Sequence, residues 1–434
     1  MPDPLIGIAG FAATLALILA RVPVGIAMAL VGAGGYWLLN GWRGTEFVLG
    51  TAPFESVFPY SLSVVPLFIL MGIFAAHAGL SRALYEAVYA FLGHRRGGLA
   101  MATVGACAGF GAICGSSLAT VATMGRVALP EMRRRGYDDR LASASIAAGG
   151  TLGVLIPPSI ILVIYALMTE QSIGALFMAA LLPGLLGTAL YMLSIRVQVA
   201  RDPSLGPAGE RLGARERWRV LREVWAVALL FVVVIGGIYT GLFSPTEAAA
   251  VGAFGAFAFA AFRRRLNRPV MLGIMAETAA TTGMIFLILI GAGIFNFFIE
   301  TSGLPQAIVG FFEGLGWNRY LVLVLIMVFY IVLGCFMDSL SMILLTVPFI
   351  FPLVTALGFD PIWFGILLVT VVELGLITPP VGLNLFIIQG IARDLRLIQV
   401  IRGILPFIAA DILRLAILIA IPALALWLPG LMDY

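Results

Sequence analysis

The chain has 434 residues, of which 61% are hydrophobic and only 11% charged, and its mean hydropathy is +1.08. That balance excludes a soluble globular protein and predicts an integral membrane protein. All 26 basic residues are Arg, and a formal net charge of +4 reads as cytoplasmic loops, not as a nucleic-acid footprint.

A spanning helix needs about 20 apolar residues, and cytoplasmic flanks collect arginine. The first 20 residues lack a basic region before their apolar run, so they read as a first spanning helix and not as a cleavable signal. Arginine clusters follow at Arg82 with Arg95 and Arg96, at Arg126 with Arg133 to Arg135 and Arg140, and between Arg196 and Arg222. Further clusters run from Arg263 to Arg268 and through Arg393, Arg396 and Arg402. The apolar stretch from Gly97 to about Leu129 has arginine at both ends and a Gly-Ser-Ser in its middle. It is too long for one helix and should enter and return as a re-entrant hairpin. Leu141 to Met168 then crosses outward, and Ser172 to Ile195 returns to an arginine-rich linker.

The second half is expected to run in the opposite sense. Val224 to Thr240 goes out, Pro245 to Phe262 comes in, and Met275 to Ile299 goes out. Tyr320 to Leu357 is again too long for one helix and contains Gly334 to Ser339, so it should form a second hairpin, open to the outside. Ile362 to Ile391 crosses inward, and Gly403 to Leu428 returns. Ser81 to His94 and Leu304 to Asn318 are amphipathic and read as interfacial helices.

One motif occurs twice. Leu152-Gly153-Val154-Leu155-Ile156-Pro157-Pro158 reappears 222 residues later as Leu374-Gly375-Leu376-Ile377-Thr378-Pro379-Pro380. A double proline removes two backbone donors and forces the preceding residue out of the α region. Inside a membrane the freed carbonyls must face protein or a hydrated site, and paired broken helices point to the binding site of a secondary transporter. The same offset maps Ser116 onto Asp338, Pro130 onto Pro352 and Pro23 onto Pro245. The predicted fold is all-α and polytopic, with two inverted-topology repeats at 1–205 and 223–434 joined by a cytoplasmic linker at 206–222. Each repeat carries a hairpin (about 97–129 and 320–357) and a broken helix (about 141–168 and 362–391).

The hairpin tips and breaks supply the candidate site. Backbone carbonyls and hydroxyls suit a hard cation, while half-helix N-termini suit an anion. Gly115, Ser116, Ser117, Thr151 and Gly153 are the candidate Na⁺ residues of the first half. Asp338, Ser339, Gly375, Thr378 and Asn384 are those of the second. Ser116, Ser117, Pro157, Pro158, Pro379 and Pro380 are candidates for the substrate. Asp338 is the sharpest residue, because a carboxylate within apolar sequence marks an ion or proton site by default; a structural hydrogen bond is the alternative. Thr151 and Asn384 could equally cap half-helices. Glu373 could face a hydrated cavity or pair with an arginine, and Asp411 with Arg414 reads as an internal pair. Cys107, Cys114 and Cys335 read as small hydrophobes.

Enzymatic readings fare poorly. A serine hydrolase using Ser116 or Ser117 needs a base within reach, and topology places neither His77 nor His94 near the hairpin tip. A phosphate-binding Gly-x-x-x-x-Gly-Lys loop cannot exist without lysine. A passive channel is a further alternative; inverted repeats with broken helices argue instead for alternating access.

At these residues the chain resembles the large membrane subunit of tripartite ATP-independent periplasmic (TRAP) transporters. The motifs that carry the resemblance are Gly115-Ser116-Ser117-Leu118-Ala119-Thr120, Gly149-Gly150-Thr151-Leu152-Gly153, Phe336-Met337-Asp338 and Glu373-Leu374-Gly375 through Asn384. The resemblance implies a multi-pass protein of the bacterial inner membrane, not an enzyme, within the ion transporter superfamily. It implies an elevator movement of the hairpin and broken-helix domain and import of an organic acid driven by a Na⁺ gradient. It also implies a small four-helix membrane subunit, expected to be separate from this chain, and a periplasmic substrate-binding protein as partners. A self-contained Na⁺/dicarboxylate symporter of the same superfamily is the alternative.

Overall fold

The computed structural model describes residues 3–432, and among them the secondary structure is helical throughout, without a strand. The first half runs α1 (Pro4–Leu19), α2 (Val24–Val57), α3 (Val64–His77), α4 (Leu80–Leu92), α5 (Gly98–Cys114), α6 (Ser117–Arg134), α7 (Asp139–Leu155), α8 (Ile160–Thr169) and α9 (Ile173–Arg201). A short helix, α10 (Ala214–Glu223), precedes the second half. That half runs α11 (Trp225–Tyr239), α12 (Pro245–Phe262), α13 (Arg268–Ser302), α14 (Leu304–Leu315), α15 (Arg319–Gly334), α16 (Ser339–Ala356), α17 (Pro361–Ile377), α18 (Leu383–Ile391) and α19 (Leu397–Ala420). Among the described residues, seven helices are long and apolar enough to cross a membrane, or nine if each bent pair is one span.

Helix bounds repeat along the chain. α16 begins and ends 222 positions after α6, and α17 does so after α7. The pairs α4 and α14, α5 and α15, and α8 and α18 keep the same offset to within two residues. The halves differ near their starts. α2 continues through a kink at Gly41, whose φ of 71° suits glycine, whereas the chain breaks at the matching point between α12 and α13.

Packing divides these elements into two groups. α7 lies against both α5 and α6, and α17 lies against α15 and α16; α7 and α17 also touch each other. The long helices α2 and α13 pack along one another, as do α3 and α12. Glycines allow the hairpins to approach their broken helices. A Cβ on Gly111 would lie 2.1 Å from the Cα of Gly153, and one on Gly334 would lie 2.8 Å from the Cα of Gly375. Such small-residue contacts replace the hydrophobic drive that lipid cannot supply between helices.

The linker is more ordered than its polar sequence predicts. α9 extends to Arg201, and α10 packs on α4. Main-chain bonds pin the stretch between them: Gly97 donates to the Gly206 carbonyl (2.9 Å), Asp138 to that of Leu205 (3.1 Å), and Gly209 to that of Gly93 (2.9 Å). These bonds satisfy backbone groups that would otherwise need water.

Candidate functional site

Each hairpin turns at a residue that caps its second arm. Gly115, with φ of 63°, ends α5, and extended Ser116 caps α6 by accepting the Ala119 N–H (3.4 Å). The Ser116 carbonyl also accepts from the Thr120 hydroxyl (2.7 Å). At the matching position, Asp338 caps α16. One carboxylate oxygen accepts the N–H groups of Leu340 (3.1 Å) and Ser341 (3.2 Å), and the other accepts the Ser341 hydroxyl. The structural hydrogen bonds anticipated for Asp338 are therefore present. The residue is half-buried, and the cap does not remove it from the site.

The tips abut the proline breaks. A Cβ on Gly115 would lie 2.9 Å from the Pro158 carbonyl oxygen, and the Cys335 thiol, 3.2 Å from the Ile331 carbonyl, also lies within 3.6 Å of the Pro379 carbonyl. Both the Pro157–Pro158 and Pro379–Pro380 bonds are cis. Prolines cannot donate to the carbonyls of Gly153, Val154, Gly375 and Leu376, which a continuous helix would have paired. The Gly375 carbonyl takes the Thr378 N–H instead (3.1 Å), and the Thr378 hydroxyl donates to Leu374 (2.6 Å).

The two tips share one cavity of about 290 Å³. Gly115, Ser116 and Ser117 line it from one hairpin, and Asp338 and Ser339 from the other. α3 and α13 form the opposite wall, with His77 and Glu277 among the lining residues, and Arg126 of α6 also faces the cavity. This corrects the expectation for His77. It lines the same cavity as Ser116 and Ser117, because the last turns of α3 lie alongside the hairpin. Its Nδ1 is engaged with the Ile73 carbonyl (3.0 Å), and no hydrogen bond joins it to either serine among the described residues.

Asn384 does not sit at the second hairpin. Its Nδ2 donates to Ser117 Oγ (2.9 Å) and to the Ala147 carbonyl (3.1 Å), so it supports the first tip from the other half. Thr151 is also away from the cavity. It is fully buried, donates to the Ala148 carbonyl (2.7 Å), and lies 3.2 Å from the Tyr191 hydroxyl. That hydroxyl donates to Asp411, which pairs with Arg414 at 3.0 Å; Arg414 also reaches Glu373 at 3.4 Å. The internal pair at Asp411 and Arg414 is present, and Glu373 takes the arginine-paired alternative. Thr151 and Glu373 are 222 positions apart, so this buried cluster joins equivalent points of α7 and α17.

Sequence reading missed three participants. Arg126 served only as a topology marker, although its position seven residues before Arg133 sets it apart from the main cluster. Glu277 is a lone carboxylate in an apolar run and had the same signal as Asp338. Tyr191 carried no signal, since a tyrosine in a spanning helix is ordinary.

The model of the DctM component of the tripartite ATP-independent periplasmic transporter matches residues 11–424. The C4-dicarboxylate TRAP transporter large permease protein DctM of Pseudomonas aeruginosa is 40% identical over 378 residues, covering 87% of this chain and 88% of that protein. The ectoine TRAP transporter large permease protein TeaC of Halomonas elongata is 34% identical, covering 97% and 98% respectively. The crystal structure of the Alcanivorax borkumensis YdaH transporter shares the fold, with a TM-score of 0.63 over 91% of both chains at 17% identity. With its long apolar helices, the chain is a multi-pass inner-membrane protein. The whole-length match and the 40% identity place it in the DctM family of TRAP transporter large permeases.

Proposed function

We propose that the chain imports an organic acid across the inner membrane, driven by a Na⁺ gradient. A periplasmic binding protein delivers the acid, and a small four-helix membrane subunit completes the permease. The observation that carries this reading is the single cavity lined by both hairpin tips. Hydroxyls of Ser116, Ser117 and Ser339, the Asp338 carboxylate, and Val154, whose carbonyl the break leaves without a helical donor, line it and form a hard oxygen set. Such a set suits an alkali or alkaline-earth cation better than a soft metal. In this reading Na⁺ is cargo, bound beside the tips, and the acid binds between them.

The 222-residue offset in helix bounds supports two repeats, and the alternating arginine clusters support their inverted sense. The hairpins and broken helices form the moving body, and α2, α3, α12 and α13 form the frame. That division supports elevator alternating access.

The first experiment is thermal unfolding of the purified chain as Na⁺ replaces K⁺ or choline at constant ionic strength. A ligand bound only by the folded state stabilises it by mass action. A saturable, Na⁺-selective rise that is lost in Asp338→Ala is expected. An equal response to K⁺, or an undiminished Na⁺ response in the variant, would sink the assignment of Asp338 to a Na⁺ site.

A further inference from the structure

The cavity between the tips is lined by two opposite charges that have no bonded partner. Arg126 and Glu277 both line it, and neither side chain makes an ion pair or hydrogen bond with another described residue. Asp338 keeps its charge under three neutral donors, and that carboxylate is the one the transport reading gives to Na⁺. Beyond that carboxylate, the charged side chains without a bonded partner are one guanidinium and one carboxylate, on α6 and α13 respectively. One belongs to the hairpin group and the other to the frame.

Size narrows the ligand further. Small-molecule cavities run from about 300 to 1,000 Å³, and this one, at about 290 Å³, is at the lower bound. A compact acid of a few carbons fits it. A guanidinium binds a carboxylate bidentately. A second ligand carboxylate would then face Glu277, and like charges brought together at a binding surface cost several kcal/mol. A cationic nitrogen in the same place would be attracted.

We propose that Arg126 and Glu277 select a small zwitterionic acid, with its carboxylate on Arg126 and its cationic nitrogen on Glu277, over a plain dicarboxylate. The proposal deepens the transport reading and rests on the cavity between the tips being the substrate site. It assigns both residues as substrate contacts.

Two probes with the same four-carbon length test it: 4-aminobutyrate and succinate, which differ in one end group. Each is titrated against the purified chain in saturating Na⁺, with thermal unfolding as the readout. In the wild type, 4-aminobutyrate is expected to bind about tenfold more tightly than succinate, the equivalent of about 1.4 kcal/mol. Glu277→Gln should erase or reverse that ratio, and Arg126→Gln should weaken both probes. The proposal is overturned if succinate binds the wild type as well as 4-aminobutyrate does, if Glu277→Gln leaves the ratio unchanged, or if neither probe shifts unfolding. The Na⁺ response of the wild type, recorded without either probe, reports separately on the transport reading. A Na⁺ response with the wrong probe order strikes only the zwitterion.

Discussion

Asn384 donates to Ser117 Oγ at 2.9 Å across 267 positions of sequence. The two residues come from opposite halves, so the tip of the first hairpin is held by the helix that follows the second break. Asn384 is fully buried and also holds the Ala147 carbonyl of α7.

Removing that amide should therefore act on the first tip. Asn384→Ala leaves the Ser117 hydroxyl and the Ala147 carbonyl short of a buried donor, at about 1–3 kcal/mol for an unsatisfied group. Thermal unfolding should show that loss, and Na⁺ affinity should fall through Ser117 although Asn384 is remote from Asp338. A loss of stability with unchanged Na⁺ affinity would leave Asn384 a purely structural bond.

Asp338 combines a cap with a charge, and Asp338→Asn separates them. The amide oxygen can still accept the Leu340 and Ser341 N–H groups, and asparagine caps helices about as well as aspartate. Stability in the absence of Na⁺ should stay within about 0.5 kcal/mol of wild type, whereas Asp338→Ala should lose about 0.5–2 kcal/mol. Na⁺-dependent stabilisation should fall in both variants.

The glycine pairs are predicted to tolerate no added methyl group. Gly111→Ala would press into Gly153, and Gly375→Ala into Gly334, each at backbone atoms that cannot swing aside. Overpacking of this kind costs about 1–3 kcal/mol. Unfolding temperature should fall in each variant. A fall confined to one half would mean that the two hairpins are not equally tight.

Breaking the buried cluster should be more damaging than removing it. Arg414→Met alone leaves Glu373 and Asp411 facing each other without their cation, and such losses run to about 3–5 kcal/mol. Adding Glu373→Gln and Asp411→Asn to that variant should recover most of the stability, as measured by thermal unfolding of the single and triple variants. A single variant as stable as wild type would argue that the cluster carries no net ionic stabilisation.

Acid should loosen the edge of the protein where Arg133 sits. Arg133 pairs with Asp139 at 2.7 Å and with Asp394 at 2.8 Å, tying the end of α6 to the start of α7 and to the loop after α18. The hydrogen bond from Arg133 holds the Asp394 carboxyl below its ordinary range. A depressed carboxyl contributes stability above its unfolded value and loses it as pH falls through the folded value. Hydrogen exchange in the Asp394 loop should rise on acidification toward that range, and Arg133→Gln should remove the pH dependence.

Much of the architecture was legible because its signals are local. Pro245 to Phe262 was predicted as a helix and is α12 to the residue, and the double prolines mark where α7 and α17 end. Those boundaries depend on missing donors and on apolar run length, both visible in a short window. The Ser117–Asn384 bond and the placement of His77 were not legible. Each depends on which helices lie side by side, and the periodicity of one helix does not report its neighbour. Arg126 and Glu277 fall between these cases: their charge in an apolar context was visible, but their meeting in one cavity was not.

The two hairpins differ in the cysteine near each turn. Cys114 lines the cavity beside Ser116, while Cys335 is buried, its thiol held by the Ile331 carbonyl near that of Pro379. The chain thus carries one native thiol at each tip, and a membrane-permeant alkylating reagent entering this cavity meets only the first. If the moving body shifts during transport, the ratio of modification at the two sulfurs becomes a clock for which face is open, readable by mass spectrometry without introducing a label.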